Sequence, residues 1–166
     1  VIDSLRAEAV AKARQADVVI YVGGLNKNAF QDCESTDRKS YNLPFSQNEL
    51  IEELVAVNPN LVIANISGNA YAMPWLQKVP AILHISYLGT MGGASIADVI
   101  SGKVNPSGKL PYSFPVKLSD CSAHFFGEEA YPGIDTGKDD VSLTDYQRNV
   151  GVNPKEEYKD DILVGY

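Results

Sequence analysis

The sequence has few residues that could tie the chain together covalently or through a metal. It contains 2 cysteines, Cys33 and Cys121, and 2 histidines, His84 and His124, in 166 residues. Their positions do not reproduce the close ligand spacing of a zinc site. We therefore expect no metal and no other cofactor, and we expect both cysteines to be free thiols rather than a disulfide.

Positive charge is also scarce, because 14 Lys and Arg are outnumbered by 21 Asp and Glu, and the net charge is −7. Nucleic acids and anionic membranes select basic surfaces, so we expect neither as a partner. No apolar run is long enough to span a bilayer. Hydrophobic residues nevertheless make up 45% of the sequence, which is typical of one globular domain with a substantial core.

Apolar runs and amphipathic segments alternate over residues 1–114. Helices are predicted at residues 4–14, 46–57, 73–76 and 94–100, and strands at 17–22, 60–66, 81–87 and 109–114. The helix at 46–57 opens on Ser46-Gln-Asn-Glu49, which has the spacing of a capping box. A segment without periodicity follows at 119–159, and a last strand is predicted at 161–166. This order predicts an α/β fold, a three-layer α/β/α sandwich with a mostly parallel sheet and a long irregular C-terminal excursion.

The loop at residues 23–44 is the predicted functional site. It follows the first strand, and open α/β sheets bind their ligands at the carboxyl ends of strands. Within six residues it carries Asp32, Glu34 and Asp37, with Arg38 beside them. Carboxylates that lie close together raise one another's pKa. A carboxyl group that acts as a general acid near neutral pH needs such a raised pKa. Acidic loops are more often only solvated surface, so this composition alone leaves both interpretations open.

A non-catalytic α/β module that holds a nucleotide or a carbohydrate at the strand ends is the alternative in another class. Its nucleotide form is not favoured, because Gly23-Gly24 and the GTMGG stretch at 89–93 both differ from G-x-G-x-x-G, and neither precedes the lysine of a P-loop. Glu34 with its Asp-Arg neighbours is the feature that discriminates the two classes.

Six stretches together resemble the C-terminal α/β-sandwich domain of the glycoside hydrolases of family 3. The resemblance runs from Ala16 to Phe114 and returns at Tyr158 to Tyr166. Its carriers are ADVVIYVGGLN, ESTDRKSYNLP, QNELI, NPNLVIANISGNAYAMPWLQKVPAIL, ADVISGKVNPSGKLPYSFP and YKDDILVGY. Members that this chain resembles are two-domain β-glucosidases and β-xylosidases, in which an N-terminal (β/α)8 barrel carries the nucleophilic aspartate.

The resemblance implies roles for the acidic loop. The family pattern E-G-x-D-R aligns with E-S-T-D-R at 34–38, so Glu34 is the implied general acid/base. Asp37 and Arg38, together with Asp32, are implied to bind substrate or to support the loop. Ser35 stands where the family has glycine, which leaves the backbone geometry of this loop in question. If Glu34 does not supply the proton, Asp32 or Asp37 is the next candidate.

The resemblance also implies partners. The substrate would be a terminal β-D-glucosyl or β-xylosyl residue of a β-linked oligosaccharide or aryl glycoside. The chain, expected to form one domain over residues 1–166, would pack on its own N-terminal barrel domain in a longer enzyme that is secreted or periplasmic. Without that barrel we expect the chain to be inactive, to expose the surface that the barrel would cover, and on that account to be prone to homodimerise.

Several aromatic residues are further candidates for sugar binding. Trp75 could be a stacking platform, but its apolar neighbours favour a place in the core. His84 is expected inside the sheet. Tyr131, Tyr146 and Tyr158 lie in the irregular segment and are candidates for an outer subsite.

Overall fold

The structure is a computed structural model that describes residues 2–34, 36, 38–130, 134–135, 154–155 and 157–163. The chain divides into two compact units, Val1–Leu110 and Pro111–Tyr166. Within the described ranges, no helix combines the length and the apolar character that crossing a membrane requires. The single domain over residues 1–166 stays a prediction.

The first unit is built on a parallel sheet. Its elements are α1 (Ile2–Ala13), β1 (Val19–Gly24), α2 (Gln47–Val57), β2 (Leu61–Ile66), β3 (Ala81–Ile85) and α3 (Gly92–Ile100). The strands pair in the order β1-β2-β3, and both pairs are parallel. The predicted α/β class with a parallel sheet is therefore confirmed. Because the strands are parallel, their carboxyl ends lie at one edge, and the acidic loop leaves the sheet from that edge.

The core lies between one face of the sheet and α2. Leu61 and Ile63 of β2 are fully buried, as is Ile51 of α2, and Leu54 is 5% exposed. Trp75 is also fully buried, and its indole Nε1 donates a hydrogen bond to Asn48 Oδ1 at 2.9 Å. Each such side chain contributes about 1.5–3 kcal/mol when it leaves water. The prediction that Trp75 belongs to the core rather than to a sugar platform is confirmed.

The opposite face of β1 is not covered. Val18, Ile20 and Val22 alternate with the residues that face α2, and they are 54%, 50% and 60% exposed. The β-branched residues at 17–22 are typical of a strand buried on both faces, but in this structure one face of β1 is exposed.

Three predicted elements differ from the structure. The helix predicted at 73–76 is absent, since residues 74–78 form a turn, and residues 109–114 contain no strand. Asp161–Leu163 is a 3₁₀ helix rather than the start of a strand. The proline and glycine residues around 105–115 explain the second difference, because proline cannot donate a ladder hydrogen bond.

The second unit consists of short elements. They are a 3₁₀ helix at Leu118–Asp120, α4 (Ser122–Phe125), and the antiparallel pair β4 (Ile134–Asp135) and β5 (Pro154–Lys155). Glu157 N donates to Glu129 O at 2.8 Å, and Lys159 pairs with the Glu129 carboxylate. Tyr158 is exposed, whereas Tyr131 and Tyr146 lie outside the described residues. The two cysteines of the chain, Cys33 and Cys121, are both free.

Candidate active site

Asp32 connects the acidic loop to the carboxyl edge of the sheet. Its side chain is buried, at 9% exposure. Oδ2 accepts hydrogen bonds from the Gly68 backbone N–H at 2.6 Å and from the Tyr87 hydroxyl at 2.7 Å. Oδ1 accepts a third bond from Asn69 Nδ2 at 2.7 Å. Gly68 and Asn69 follow β2, and Tyr87 follows β3, so one carboxylate joins the loop to the ends of two strands.

The environment of Tyr87 reflects this contact. Burial, and after it the hydrogen bond to Asp32, raise the pKa of the Tyr87 hydroxyl above its usual value. The ammonium of Lys27 lies over the same ring, 4.4 Å from its centroid, in a cation–π contact. Lys27 and Asp32 both belong to the acidic loop, so Tyr87 contacts this loop twice, through its ring and through its hydroxyl.

Arg38 joins the acidic loop to the segment that follows β2. Its Nη2 donates to the Ala70 carbonyl at 2.6 Å. Burial lowers the pKa of the guanidinium, and the nearby charge of Asp32 acts in the opposite direction. Arg38 Nη1 is buried, and no residue in the described part of the chain accepts a hydrogen bond from it. Within that part of the chain, the guanidinium keeps one donor unused at the carboxyl edge of the sheet.

The base of the loop is held by Gln47, the first residue of α2. Its Oε1 accepts from the Gly24 backbone N–H at 2.8 Å and from the Tyr21 hydroxyl at 2.7 Å. Its Nε2 donates to the carbonyls of Gly24 at 2.9 Å and Pro44 at 3.0 Å. One side chain thus joins the residue where the loop begins to the residue where it ends. Burial raises the pKa of Tyr21 to about 12, so this hydroxyl remains a donor at neutral pH.

Glu34 is exposed, two residues after the buried Asp32. The segment that carries it is closed by a hydrogen bond of 3.1 Å from Phe30 N to Thr36 O. The Glu34 backbone carbonyl accepts from Cys33 Sγ at 3.4 Å. Among the described residues, none forms a hydrogen bond or an ion pair with its carboxylate. The arrangement offers an accessible carboxyl group on a loop whose neighbouring residues are fixed.

The structure therefore brings Asp32 and Arg38 to the carboxyl edge of the sheet, with Glu34 exposed on the same loop. Asp37 and Ser35 lie outside the described residues. Among the residues that are described, no group of three His, Cys, Asp or Glu side chains could hold a metal ion.

Sequence reasoning missed Tyr87, Asn69 and Gln47. Tyr87 is the last residue of one predicted strand and Asn69 lies three residues after another, and polar residues at the ends of neighbouring parallel strands meet at one edge of the sheet. The position of these two residues at strand ends is therefore a signal in the sequence that could have found them. Gln47 carries no comparable signal, because its contacts depend on how α2 is docked.

Comparisons with known proteins place the chain in a family. Residues 3–166 match the family described as "Glycosyl hydrolase family 3 C-terminal domain". The chain is 57% identical over 165 residues to "Beta-glucosidase BoGH3A" of Bacteroides ovatus, covering 99% of this chain and 20% of that protein. It is 39% identical to "Beta-glucosidase B" of Emericella nidulans, covering 98% of this chain and 18% of that protein.

A solved structure of a beta-glucosidase is also similar to this chain. The beta-glucosidase DesR from Streptomyces venezuelae, in complex with D-glucose, is similar with a TM-score of 0.73 and 34% identity, over 80% of this chain and 16% of that chain. The chain thus spans about a fifth of the length of the curated relatives that it matches. The parallel sheet, the acidic loop at its carboxyl edge and these matches agree with one another, and the chain belongs to the glycosyl hydrolase family 3 C-terminal domain family.

Proposed function

We propose that this chain is the C-terminal domain of a retaining β-glucosidase and that Glu34 is its general acid/base. The carrying observation is that Glu34 is exposed and unpaired among the described residues, while Asp32, two residues away, is bound to the ends of two strands. A proton donor must be accessible to the substrate and held in position. Relatives at 57% and 39% identity, named beta-glucosidases, support the substrate class, and β-xylosides are the related alternative.

In this proposal the chain supplies one of two carboxyl groups. A retaining glycosidase needs a nucleophile and an acid/base about 5–5.5 Å apart. The nucleophilic aspartate would come from an N-terminal barrel domain of the longer enzyme, so the active site would form where that barrel meets the acidic loop. Glu34 would protonate the leaving oxygen in the first step and take a proton from water in the second.

We assign Asp32 and Arg38 to loop support rather than to substrate binding. The two Asp32 oxygens already accept three hydrogen bonds from the chain, and the residue is buried. A carboxylate has about four lone-pair sites, so Asp32 has few acceptor sites left for a sugar hydroxyl. Arg38 binds the Ala70 carbonyl, on the segment that follows Asn69. For Asp37, substrate binding and loop support both remain open.

The test compares wild-type longer enzyme with Glu34→Ala on an activated aryl β-glucoside and on an unactivated β-linked disaccharide, each with and without azide. The disaccharide needs protonation of its leaving group, so its turnover should fall by about 10²–10⁴-fold, and the aryl glucoside should lose less. Azide should restore turnover of the aryl glucoside, because it can attack the glycosyl-enzyme without a general base. Equal, modest losses on both substrates, with no azide effect, would exclude Glu34 and direct attention to Asp37 or Asp32.

The non-catalytic binding module makes the opposite prediction. In that case Glu34→Ala would leave hydrolysis unchanged and alter only the affinity for a sugar. Glu34→Gln is the matched variant, because it keeps the size and polarity of the side chain and removes only the titrating proton. A Glu34→Gln enzyme with wild-type turnover on the disaccharide would favour the module.

A further inference from the structure

Phe30 is exposed in an unfavourable backbone conformation on the loop that carries Glu34. Its side chain is 53% exposed, and its φ is 63°, in the left-handed region. That region is uncommon for residues with a side chain and unfavourable for a bulky one, and such residues cluster at functional sites. A single exposed phenylalanine needs no explanation, and Phe45 shares the exposure and the positive φ; what distinguishes Phe30 is its place on the segment that carries Glu34.

The conformation of Phe30 is imposed by its neighbours. Gln31 and Asp32, which follow it, are buried at 7% and 9% exposure. Gln31 Oε1 accepts from the Asn26 backbone N–H at 3.2 Å, and Asp32 N donates to Asn26 O at 3.0 Å. The two residues after Phe30 are therefore fixed inward, and the aromatic ring is held at the surface of the loop.

The aromatic ring of Phe30 is also held in one orientation by Lys39. The ammonium of Lys39 lies over it, 4.9 Å from the ring centroid. A cation over one face of an aromatic ring is attracted by the ring quadrupole. Half of the side chain nevertheless remains accessible, so the contact with Lys39 holds the ring without covering it.

We propose that Phe30 is a platform on which the leaving group of the substrate stacks, through the C–H face of a sugar ring or the face of an aryl ring. This proposal rests on the proposed function, in which Glu34 protonates the leaving oxygen. The Phe30 backbone N–H donates a hydrogen bond to Thr36 O at 3.1 Å. Glu34 is two residues from Thr36, and two residues span at most about 7 Å of extended chain. The ring and the proton donor therefore belong to one closed segment, residues 30–36.

The chemistry of the ring suits this ligand. Sugar C–H groups carry partial positive charge and the face of an aromatic ring carries partial negative charge, and an aryl ring stacks favourably on such a face when the two rings are offset. The platform has no hydrogen-bonding group, so it would favour leaving groups by the size of their flat apolar face. It would therefore set leaving-group preference, while the glucosyl residue that is cleaved off would be recognised elsewhere.

The experiment uses the longer enzyme with Phe30→Leu and Phe30→Gly, and three substrates that share the glucosyl residue: a β-linked disaccharide, an aryl β-glucoside and methyl β-glucoside. Phe30→Leu keeps apolar bulk and removes the aromatic face. We expect kcat/KM to fall about three- to ten-fold for the disaccharide and the aryl glucoside, and to stay close to wild type for methyl β-glucoside. An equal loss on all three substrates, or no loss on any, would overturn the platform.

Phe30→Gly separates a structural role from a binding role. Glycine tolerates a φ of 63° without strain, so this variant should keep or raise the melting temperature while it loses leaving-group preference. Phe45→Gly is the matched control, since Phe45 is 81% exposed with a φ of 61° but precedes α2. It should leave the preference unchanged, and an equal change of preference in Phe45→Gly would count against the platform.

The two proposals fail separately in this design. Azide rescue of Glu34→Ala tests the acid/base role and does not depend on Phe30. If rescue is absent while Phe30→Leu still discriminates by leaving group, the acid/base assignment is wrong and the platform stands. If rescue is present and Phe30→Leu discriminates nothing, the platform is wrong and the proposed function stands.

Discussion

The position of the acidic loop depends most directly on a single buried carboxylate, that of Asp32. Its three donors come from Gly68, Asn69 and Tyr87, which lie beyond the ends of two strands. Hydrogen bonds to an ionised acceptor are about twice as strong as neutral ones, and here they offset the desolvation of the charge. Sequence reasoning identified Asp32 as a site residue, but it could not distinguish support from substrate contact, because only the folded chain brings the three donors together.

We predict that Asp32→Ala lowers the free energy of unfolding of this chain by about 1–3 kcal/mol, because the Gly68 and Asn69 amides and the Tyr87 hydroxyl lose their part-buried acceptor. Asp32→Asn should cost less, since one acceptor oxygen remains, but its amide would meet other donors. Urea unfolding measures both. Glu34→Ala is the control, and with no partner among the described residues it should change stability by about 0.5 kcal/mol or less. Equal effects of Asp32→Ala and Glu34→Ala would show that the hydrogen bonds are not stabilising.

His84 gives the first unit a pH-dependent stability. Burial lowers its pKa, and its ring packs against Tyr71 with the centroids 6.1 Å apart. The unfolded chain, with a histidine pKa of about 6.5, binds the proton first as the pH falls. The contribution of neutral His84 to stability is therefore complete above about pH 6.5 and is lost as the pH falls through the folded-state pKa.

His84→Gln should therefore flatten the loss of stability in that acidic range, relative to wild type, in urea unfolding measured at several pH values. His124→Gln is the control, because His124 is exposed and should leave the wild-type profile unchanged. A His84→Gln profile parallel to that of wild type would contradict the assignment.

At the scale of elements, the join between β1, β2 and α2 decides where the loop starts. Gly24 has a φ of 122°, and a Cβ placed on it would lie 2.0 Å from the Ile66 carbonyl oxygen. Ser46-Gln-Asn-Glu49 predicted a capping box, yet Ser46 has a φ of 55° and makes no capping hydrogen bond. Instead, the Gln47 side chain binds Gly24 and Pro44. The capping box predicted from local sequence therefore does not form, and the Gln47 side chain instead joins the two ends of the loop.

Gly24→Ala should therefore destabilise this chain by about 3 kcal/mol or more, because the methyl group meets backbone that cannot move away and the φ is unfavourable for alanine. Gly93→Ala is the opposite case. Gly93 lies in α3, and its added Cβ would meet nothing within 4 Å, so helix propensity should stabilise the chain by about 0.5–1 kcal/mol. Thermal unfolding of the two variants measures the contrast, and a shift of the same sign for both would refute it.

At the scale of the whole molecule, the chain carries an exposed apolar surface, and in the proposed mechanism it supplies one of the two carboxyl groups. Ile20 and Val22 are half exposed or more on the open face of β1. The chain corresponds to 20% of the length of its relative from Bacteroides ovatus. The predicted homodimer and the predicted secreted or periplasmic location both stay predictions.

We expect this chain alone to self-associate through the open face of β1, since contiguous exposed apolar surface favours association. Ile20→Lys with Val22→Lys should shift the chain towards monomer in sedimentation velocity. Val116→Lys is the control, because Val116 is 80% exposed but belongs to the second unit. Unchanged association in the double variant, or an equal shift in Val116→Lys, would show that this face is not responsible.

We also expect this chain alone to hydrolyse no aryl β-glucoside, because the nucleophile of the proposed mechanism would come from the barrel domain. The longer enzyme, assayed at the same molar concentration, is the positive control. Turnover by the chain alone that Glu34→Ala abolishes would mean that the chain holds both carboxyl groups itself.

The sequence by itself determined the α/β class, the parallel sheet, the core position of Trp75 and the long loop that carries the candidate site residues. These follow from periodicity, composition and a distinctive pattern of residues, all of which are local along the chain. Only the tertiary structure decided that Asp32 is a buried acceptor for three donors, that Gln47 replaces a cap, and that Phe30 is exposed on the hydrogen-bonded segment that also carries Glu34. Such contacts join residues far apart in sequence, and their energies depend on burial and distance, which the order of residues does not contain.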